Sequence, residues 1–209
     1  MSERETLATL NQLGAIVTDT HVIYTSGKHG STYINKDAIY PHTKQISSLC
    51  RAIAQEFAED QPEVVLAPAL GGIILSQWIA HHLSELMTKE VLAIYAEKSE
   101  TGDSFVIKRG YEKLIAHKRV LMTEDVINTG KSISQVIGVA QQLQGIVIGL
   151  GVLCNRGNLT TQDLLNIPKL FALVNLPLET WEAQDCPLCQ ANIPINTSLG
   201  KGAKSLTKS

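Results

Sequence analysis

The residues with the most chemical content are Glu124 and Asp125, an adjacent carboxylate pair closing the apolar run Val120-Leu121-Met122-Thr123, together with the short turn that follows. Two neighbouring carboxylates can accept hydrogen bonds from a vicinal diol. Past Val126, the backbone N–H groups of Ile127, Asn128, Thr129, Gly130, Lys131 and Ser132 fall where a helix begins, and N–H groups converging at such a point bind an anion. Gly130 frees the turn sterically, and Thr129 and Ser132 add hydroxyl donors. Diol and phosphate together suit ribose 5-phosphate. The same residues also fit a plain strand-loop-helix junction with a solvated acidic pair and a serine cap. A nucleoside-triphosphate loop, G-x-x-x-x-G-K-[ST], is excluded, because its first glycine would fall at position 125, which is Asp125.

Three further segments carry candidate chemistry. Ala69, Leu70, Gly71 and Gly72 join another apolar strand to another helix, which makes a second anion-binding nest or simply a tight turn. Residues 97–118 form a polar excursion with Gly102 and Gly110 and the cations Lys98, Lys108, Arg109 and Lys113. They read either as a mobile lid that brings positive charge onto a departing anion or as a solvated hairpin, and the lid is the expectation. Cys186-Pro187-Leu188-Cys189 has the spacing of two zinc thiolates, but one pair cannot close a tetrahedral site. A second pair could come from a symmetry-related subunit; otherwise the thiols are reduced and structurally minor. No metal is expected there.

The elements that must position these groups follow from periodicity. Residues 2–14 read as an amphipathic helix with a capping box, Ser2 with Glu5, and Leu7, Leu10 and Leu13 on one face. Residues 21–36 suggest a hairpin, and 43–59 a helix carrying Ile46, Leu49, Ile53 and Phe57. Strand and helix then alternate through 64–67, 72–86, 92–96, 119–123, 131–143, 147–153 and 170–174. This pattern predicts an α/β fold with a central parallel sheet flanked by helices, an N-terminal hood and a C-terminal extension. Ile133, Val136, Ile137, Ala140 and Leu143 should face that sheet. Glu124 then stands at the carboxyl end of a strand, where open α/β sheets bind ligands.

At 209 residues and 44% hydrophobic content, the chain fits one domain. Its expected divisions are a hood over 1–42, a core over 43–178, an extension over 179–196, and a flexible tail over 197–209. A formal charge of −2 gives no general attraction to nucleic acid or an anionic membrane. The polar N-terminus and the lack of a long apolar run predict a cytoplasmic protein. Cys50 and Cys154 fall in apolar patterns and read as small buried hydrophobes.

Glu124-Asp125-Val126-Ile127-Asn128-Thr129-Gly130, with Ser132 after it, closely resembles the phosphoribosyl-diphosphate (PRPP) motif of type I phosphoribosyltransferases. Lys131 takes a position that is usually small in that motif, where it either crowds the turn or adds a cation. Over most of residues 20–160 the chain is most similar to the orotate branch of that family. The resemblance implies that Thr25-Ser26-Gly27-Lys28 and Tyr33-Ile34-Asn35 form the base-binding segment, that Lys98 contacts PRPP phosphate, and that Arg156 pairs with the orotate carboxylate. It implies transfer of the phosphoribosyl group to orotate, with Mg²⁺ held by the substrate and a homodimer in which a neighbour's lid completes each site. Leu70 and Gly71 replace the family's usual aromatic and lysine, Thr25 replaces a lysine, and the Lys-Asp-His-Gly lid element is missing. Lys108 and Arg109 are therefore assigned as catalytic cations from charge and position alone, beside Glu124 and Asp125. Transfer to uracil or a purine, and a non-enzymatic PRPP sensor, are the alternatives.

Overall fold

A computed structural model describes residues 1–24 and 26–200. Thr25 and most of the tail expected to fray lie outside the described residues. The capping box forms as expected at the start of α1, Glu3–Gln12, where Ser2 and Glu5 satisfy each other's backbone N–H groups. The hood follows as four two-residue strands, β1 Ile16–Val17, β2 Val22–Ile23, β3 His29–Gly30 and β4 Tyr33–Ile34. β2 and β3 make the expected hairpin, but β4 pairs with β1 instead. Runs this short carry too little alternation to fix a partner.

A 3-10 turn at Lys36–Ala38 leads into the core. The core comprises α2 Thr43–Phe57, β5 Val64–Pro68, α3 Gly71–Met87, β6 Leu92–Lys98, β7 Phe105–Val106, β8 Arg119–Ile127, α4 Lys131–Gln142, β9 Ile146–Asn155 and β10 Leu170–Asn175. The sheet runs β10-β9-β8-β5-β6-β7, parallel throughout except for the antiparallel edge β7. A short α5, Pro187–Gln190, lies in the extension.

Helical periodicity explains both faces of the sheet. Ile46, Leu49, Ile53 and Phe57 of α2 are fully buried with Leu75, Ile79 and Leu83 of α3 on one face. Each such side chain contributes about 1.5–3 kcal/mol through burial. On the other face Ile133, Val136, Ile137 and Ala140 of α4 pack with Phe105, Ile115 and Leu164, while Leu143 is only partly buried. Cys50 and Cys154 are buried as the pattern predicts, and burial pushes both thiols up, Cys154 to about 12.

Strand order determines where a ligand can enter. From β5 the chain adds β6 on one side and β8 on the other, so a switch point opens between β5 and β8. β8 pairs with β5 only through Val120–Met122 but with β9 as far as Ile127. Its last residues, with the acidic pair, therefore extend beyond the pairing with β5.

Candidate active site

At the switch point lies an open cleft of about 610 Å³, bounded by Ala69, Leu70 and Gly71 after β5 and by the whole run Glu124–Ser132. Gly130 adopts φ +69°, and a Cβ there would meet Leu164 Cδ2 at 2.7 Å, so both conformation and space require glycine. It caps α4, accepting the Ser134 N–H at 2.9 Å, while the Lys131 N–H donates to Thr129 Oγ1 at 3.4 Å and the rest of the first turn has no intrahelical acceptor. Lys131 opens α4 and lines the cleft, where it adds a cation.

Asp125 is 3% exposed, and both of its carboxylate oxygens accept hydrogen bonds. Its Oδ2 accepts from Lys36 Nζ at 2.8 Å and from the Tyr40 hydroxyl at 2.7 Å, and its Oδ1 accepts from the Val126 N–H at 2.6 Å. Burial works against charge on Lys36, yet the Asp125 carboxylate beside it raises the ammonium pKa. Burial and then Asp125 push the Tyr40 phenol well up, so it stays a donor. Glu124 is only partly paired. Burial, then the charge of Asp125, raises its carboxyl well above the usual carboxylate range.

Neither Lys36 nor Tyr40 belongs to the candidate set read from the sequence. Tyr40 lies 85 positions from its partner, and Lys36 sits on a 3-10 turn without periodic pattern. Gly71 is the one sign in the sequence of this crowding, since a Cβ there would fall 2.3 Å from Asp125 Oδ2 and 2.6 Å from the Tyr40 hydroxyl.

The other candidates divide. Lys98 and Ser26 line the cleft with the acidic pair. Gly72 does not; its Cβ would meet Ala67 Cβ at 2.7 Å, so it serves close packing of α3 on β5. Arg156 stands beside the cleft, because its N–H and that of Gly157 both donate to Ile127 O, at 2.8 and 3.2 Å. Its guanidinium donates to Asn128 Oδ1 at 3.3 Å and lies 4.2 Å from the Tyr24 ring centroid. Burial lowers its pKa, as expected for a cation without a carboxylate partner. Tyr33 sits on β4 and does not line the cleft, and Lys28 is turned outward to Glu182 at 3.3 Å.

Lys108 and Arg109 are not brought to the acidic pair. Arg109 is bound to Glu97 and lies 5.8 Å from the Tyr95 ring centroid, in a neighbouring depression with Lys98 and Leu70. Lys108 lines neither depression. The polar excursion is a packed hairpin rather than a free loop: β7 pairs with β6, and Phe105 and Ile115 are buried. The clustering of cationic residues in the sequence concealed these apolar anchors.

Comparison with known proteins bears on the site as a whole. A family model described as phosphoribosyl transferase domain matches residues 36–177. The chain is 33% identical over 196 residues to the orotate phosphoribosyltransferase of Thermoanaerobacter sp. (strain X514), covering 93% of this chain and 96% of that one. It is 31% identical over 207 residues to the orotate phosphoribosyltransferase of Desulforamulus reducens, covering 99% and 100%. Among solved structures, orotate phosphoribosyltransferase from Aeropyrum pernix is similar with a TM-score of 0.63 at 22% identity, over 81% of this chain and 92% of that one. The Mycobacterium tuberculosis H37Rv orotate phosphoribosyltransferase in complex with PRPP gives 0.62 at 18%, over 83% and 96%. At those identities the structures bear on the fold alone.

Proposed function

The chain belongs to the phosphoribosyl transferase domain family, and from that premise we propose that it transfers the phosphoribosyl group of PRPP to orotate, giving orotidine 5′-monophosphate and pyrophosphate. The observation that carries this reading is the acidic pair at the end of β8, with Asp125 buried against Lys36 and Tyr40 and backbone turns on both sides of one cleft. The cleft fits a sugar with an anion at each end. The N–H groups of residues 127–132 hold the 5-phosphate, and Ala69–Gly71 with Lys98 hold the pyrophosphate.

As the C1–O bond breaks, positive charge grows on the ribose ring and negative charge on the leaving group. Glu124 and Asp125 accept the 2′- and 3′-hydroxyl protons in hydrogen bonds, and the Asp125 carboxylate stabilises the ring electrostatically. Lys36 and Tyr40 keep Asp125 fixed, so little reorganisation is needed when charge develops. An orotate ring nitrogen attacks the opposite face of C1. Arg156 supplies a planar, half-buried donor for the orotate carboxylate, which neutral bases lack. Holding both reactants in line supplies much of the rate advantage.

The donor set also fits Mg²⁺. Oxygen ligands are available from Glu124 and Asp125, and among the described residues no cluster of three or more His, Cys, Asp and Glu side chains sits in the cleft. Glu124 and Asp125 would help to hold Mg²⁺ beside the substrate, and the ion would supply positive charge for the leaving group. Lys108 and Arg109 stand outside their own cleft, which supports a homodimer in which the hairpin serves the neighbouring site. The hood, 1–42, core, 43–178, and extension, 179–196, then act as one catalytic unit. Among the described residues no helix is long and apolar enough to cross a membrane.

Chromatographic identification of the product tests the reading. Orotate and PRPP with Mg²⁺ should give orotidine 5′-monophosphate, and unchanged orotate after prolonged incubation with folded protein would refute it.

A further inference from the structure

The pair Cys186 and Cys189 takes no part in the cleft, and neither do the two buried histidines of the hood. The fold brings all four together. The ligating atoms of His21, His29, Cys186 and Cys189 lie within 4.8 Å of one another. Cys186 Sγ is 3.6 Å from His21 Nε2, and Cys189 Sγ is 3.7 Å from His21 Nε2 and 3.3 Å from His29 Nδ1. For a tetrahedral ion with bonds of about 2.3 Å to sulfur and about 2.05 Å to nitrogen, sulfur and nitrogen stand about 3.5 Å apart and two nitrogens about 3.4 Å apart. The three observed sulfur–nitrogen distances bracket the first figure. The imidazole nitrogens are closer, at 2.8 Å, a hydrogen-bond distance that a bound ion would have to widen by about 0.6 Å.

We propose that His21, His29, Cys186 and Cys189 form a closed tetrahedral zinc site that ties the C-terminal extension to the hood. Two thiolates and two imidazoles select a borderline-soft ion over Mg²⁺ or Ca²⁺. His21 and His29 are 2% and 5% exposed and Cys186 is fully buried, so three of the four groups have left water. His21 Nδ1 lies 2.7 Å from Ile193 O. Donation to that carbonyl leaves the Nε2 lone pair for the metal, the usual orientation of a ligating histidine.

The surrounding architecture gives the ion a task. β2 and β3 have two residues each, too few to be stable alone. Trp181 and His29 exchange backbone hydrogen bonds at 2.8 and 3.0 Å, and Asn196 N donates to His21 O at 2.7 Å, so the extension wraps the hairpin. Four protein ligands leave no open position, which makes the role structural. The turn between the two histidines carries Ser26, at the cleft edge, so the ion braces the acceptor side of the site described above. That last consequence rests on the proposed function; the metal site itself does not. The second ligand pair, whose lack argued against a metal from sequence, comes from the same chain.

The test uses the full chain, produced in zinc-supplemented medium under reducing conditions and desalted. Mass spectrometry of the metal content should find about one zinc per chain, released when an organomercurial titrates the thiols. Cobalt substitution should give the visible bands of tetrahedral thiolate coordination. Cys189→Ser and His29→Asn should each lower zinc content at least about tenfold. His81→Ala should leave it unchanged, since His81, His82 and Glu85 form a separate and more exposed cluster. If a variant fails to fold, wild-type stoichiometry and the cobalt spectrum decide. Folded wild-type protein with less than about 0.1 zinc per chain, a Cys186–Cys189 disulfide, or zinc retained by folded Cys189→Ser would each overturn the proposal. Because metal content is read without turnover, an inactive protein that holds zinc would count against the proposed reaction alone.

Discussion

Replacing Asp125 with Asn keeps the shape of the side chain and removes its charge, and the surrounding atoms determine the cost. In one amide orientation the carboxamide N–H₂ faces Lys36 Nζ, now 2.8 Å away, and in the other it faces the Val126 N–H at 2.6 Å. Either way one donor meets a donor. An unsatisfied buried polar contact costs about 1–3 kcal/mol, and because the Lys36 side chain is 41% exposed, water takes up part of it. Asp125→Asn should therefore melt a few degrees lower yet remain folded. Catalysis should suffer more. Losing one preorganised charge at a developing transition-state charge costs about 10²–10³ in kcat, roughly 2.7–4 kcal/mol. Steady-state pyrophosphate release, with circular dichroism to verify folding, separates the two effects. A folded variant with near-wild-type kcat would refute the role assigned to this carboxylate.

Other positions make sharper or complementary demands. Arg156→Met should raise the KM for orotate about 10–100-fold, the loss of a charge-assisted contact, while PRPP binding measured by calorimetry stays within about twofold. Glu124 titrates above the usual carboxylate range in the folded protein, so its proton stabilises the fold at acid pH and that contribution fades as pH rises through the raised value. Chemical denaturation across this window should show wild-type stability falling with pH relative to Glu124→Gln, and parallel curves would contradict the raised pKa. Gly71→Ala puts a methyl 2.3 Å from Asp125 Oδ2 and should cost about 1–3 kcal/mol in stability together with PRPP affinity, read by melting and by calorimetry. Wild-type behaviour there would mean that Asp125 is not held as described.

The sequence made some parts of this molecule legible and hid others for physical reasons. The acidic pair and its turn could be read because their chemistry is local: strand, carboxylates, glycine and helix start follow one another within 13 positions, 120–132. The α2 and α4 faces could be read because helical period and burial coincide. Lys36 and Tyr40 could not, since they reach Asp125 from an irregular segment where no period predicts direction. His21 and His29 were hidden in the same way, one just before and one on strands of two residues each. Lys108 and Arg109 could be picked out by charge, but charge alone says nothing of direction. Arg109 turns to Glu97, while the buried anchors Phe105 and Ile115 set the path of the hairpin.

Base-dependent pyrophosphate release reads acceptor identity on the PRPP site. Purified protein with Mg²⁺ and PRPP should release pyrophosphate rapidly with orotate and negligibly with uracil, hypoxanthine, guanine or adenine, because only orotate offers a carboxylate to Arg156. Release driven by a neutral base and not by orotate would rule out orotate as the acceptor and Arg156 as its carboxylate partner.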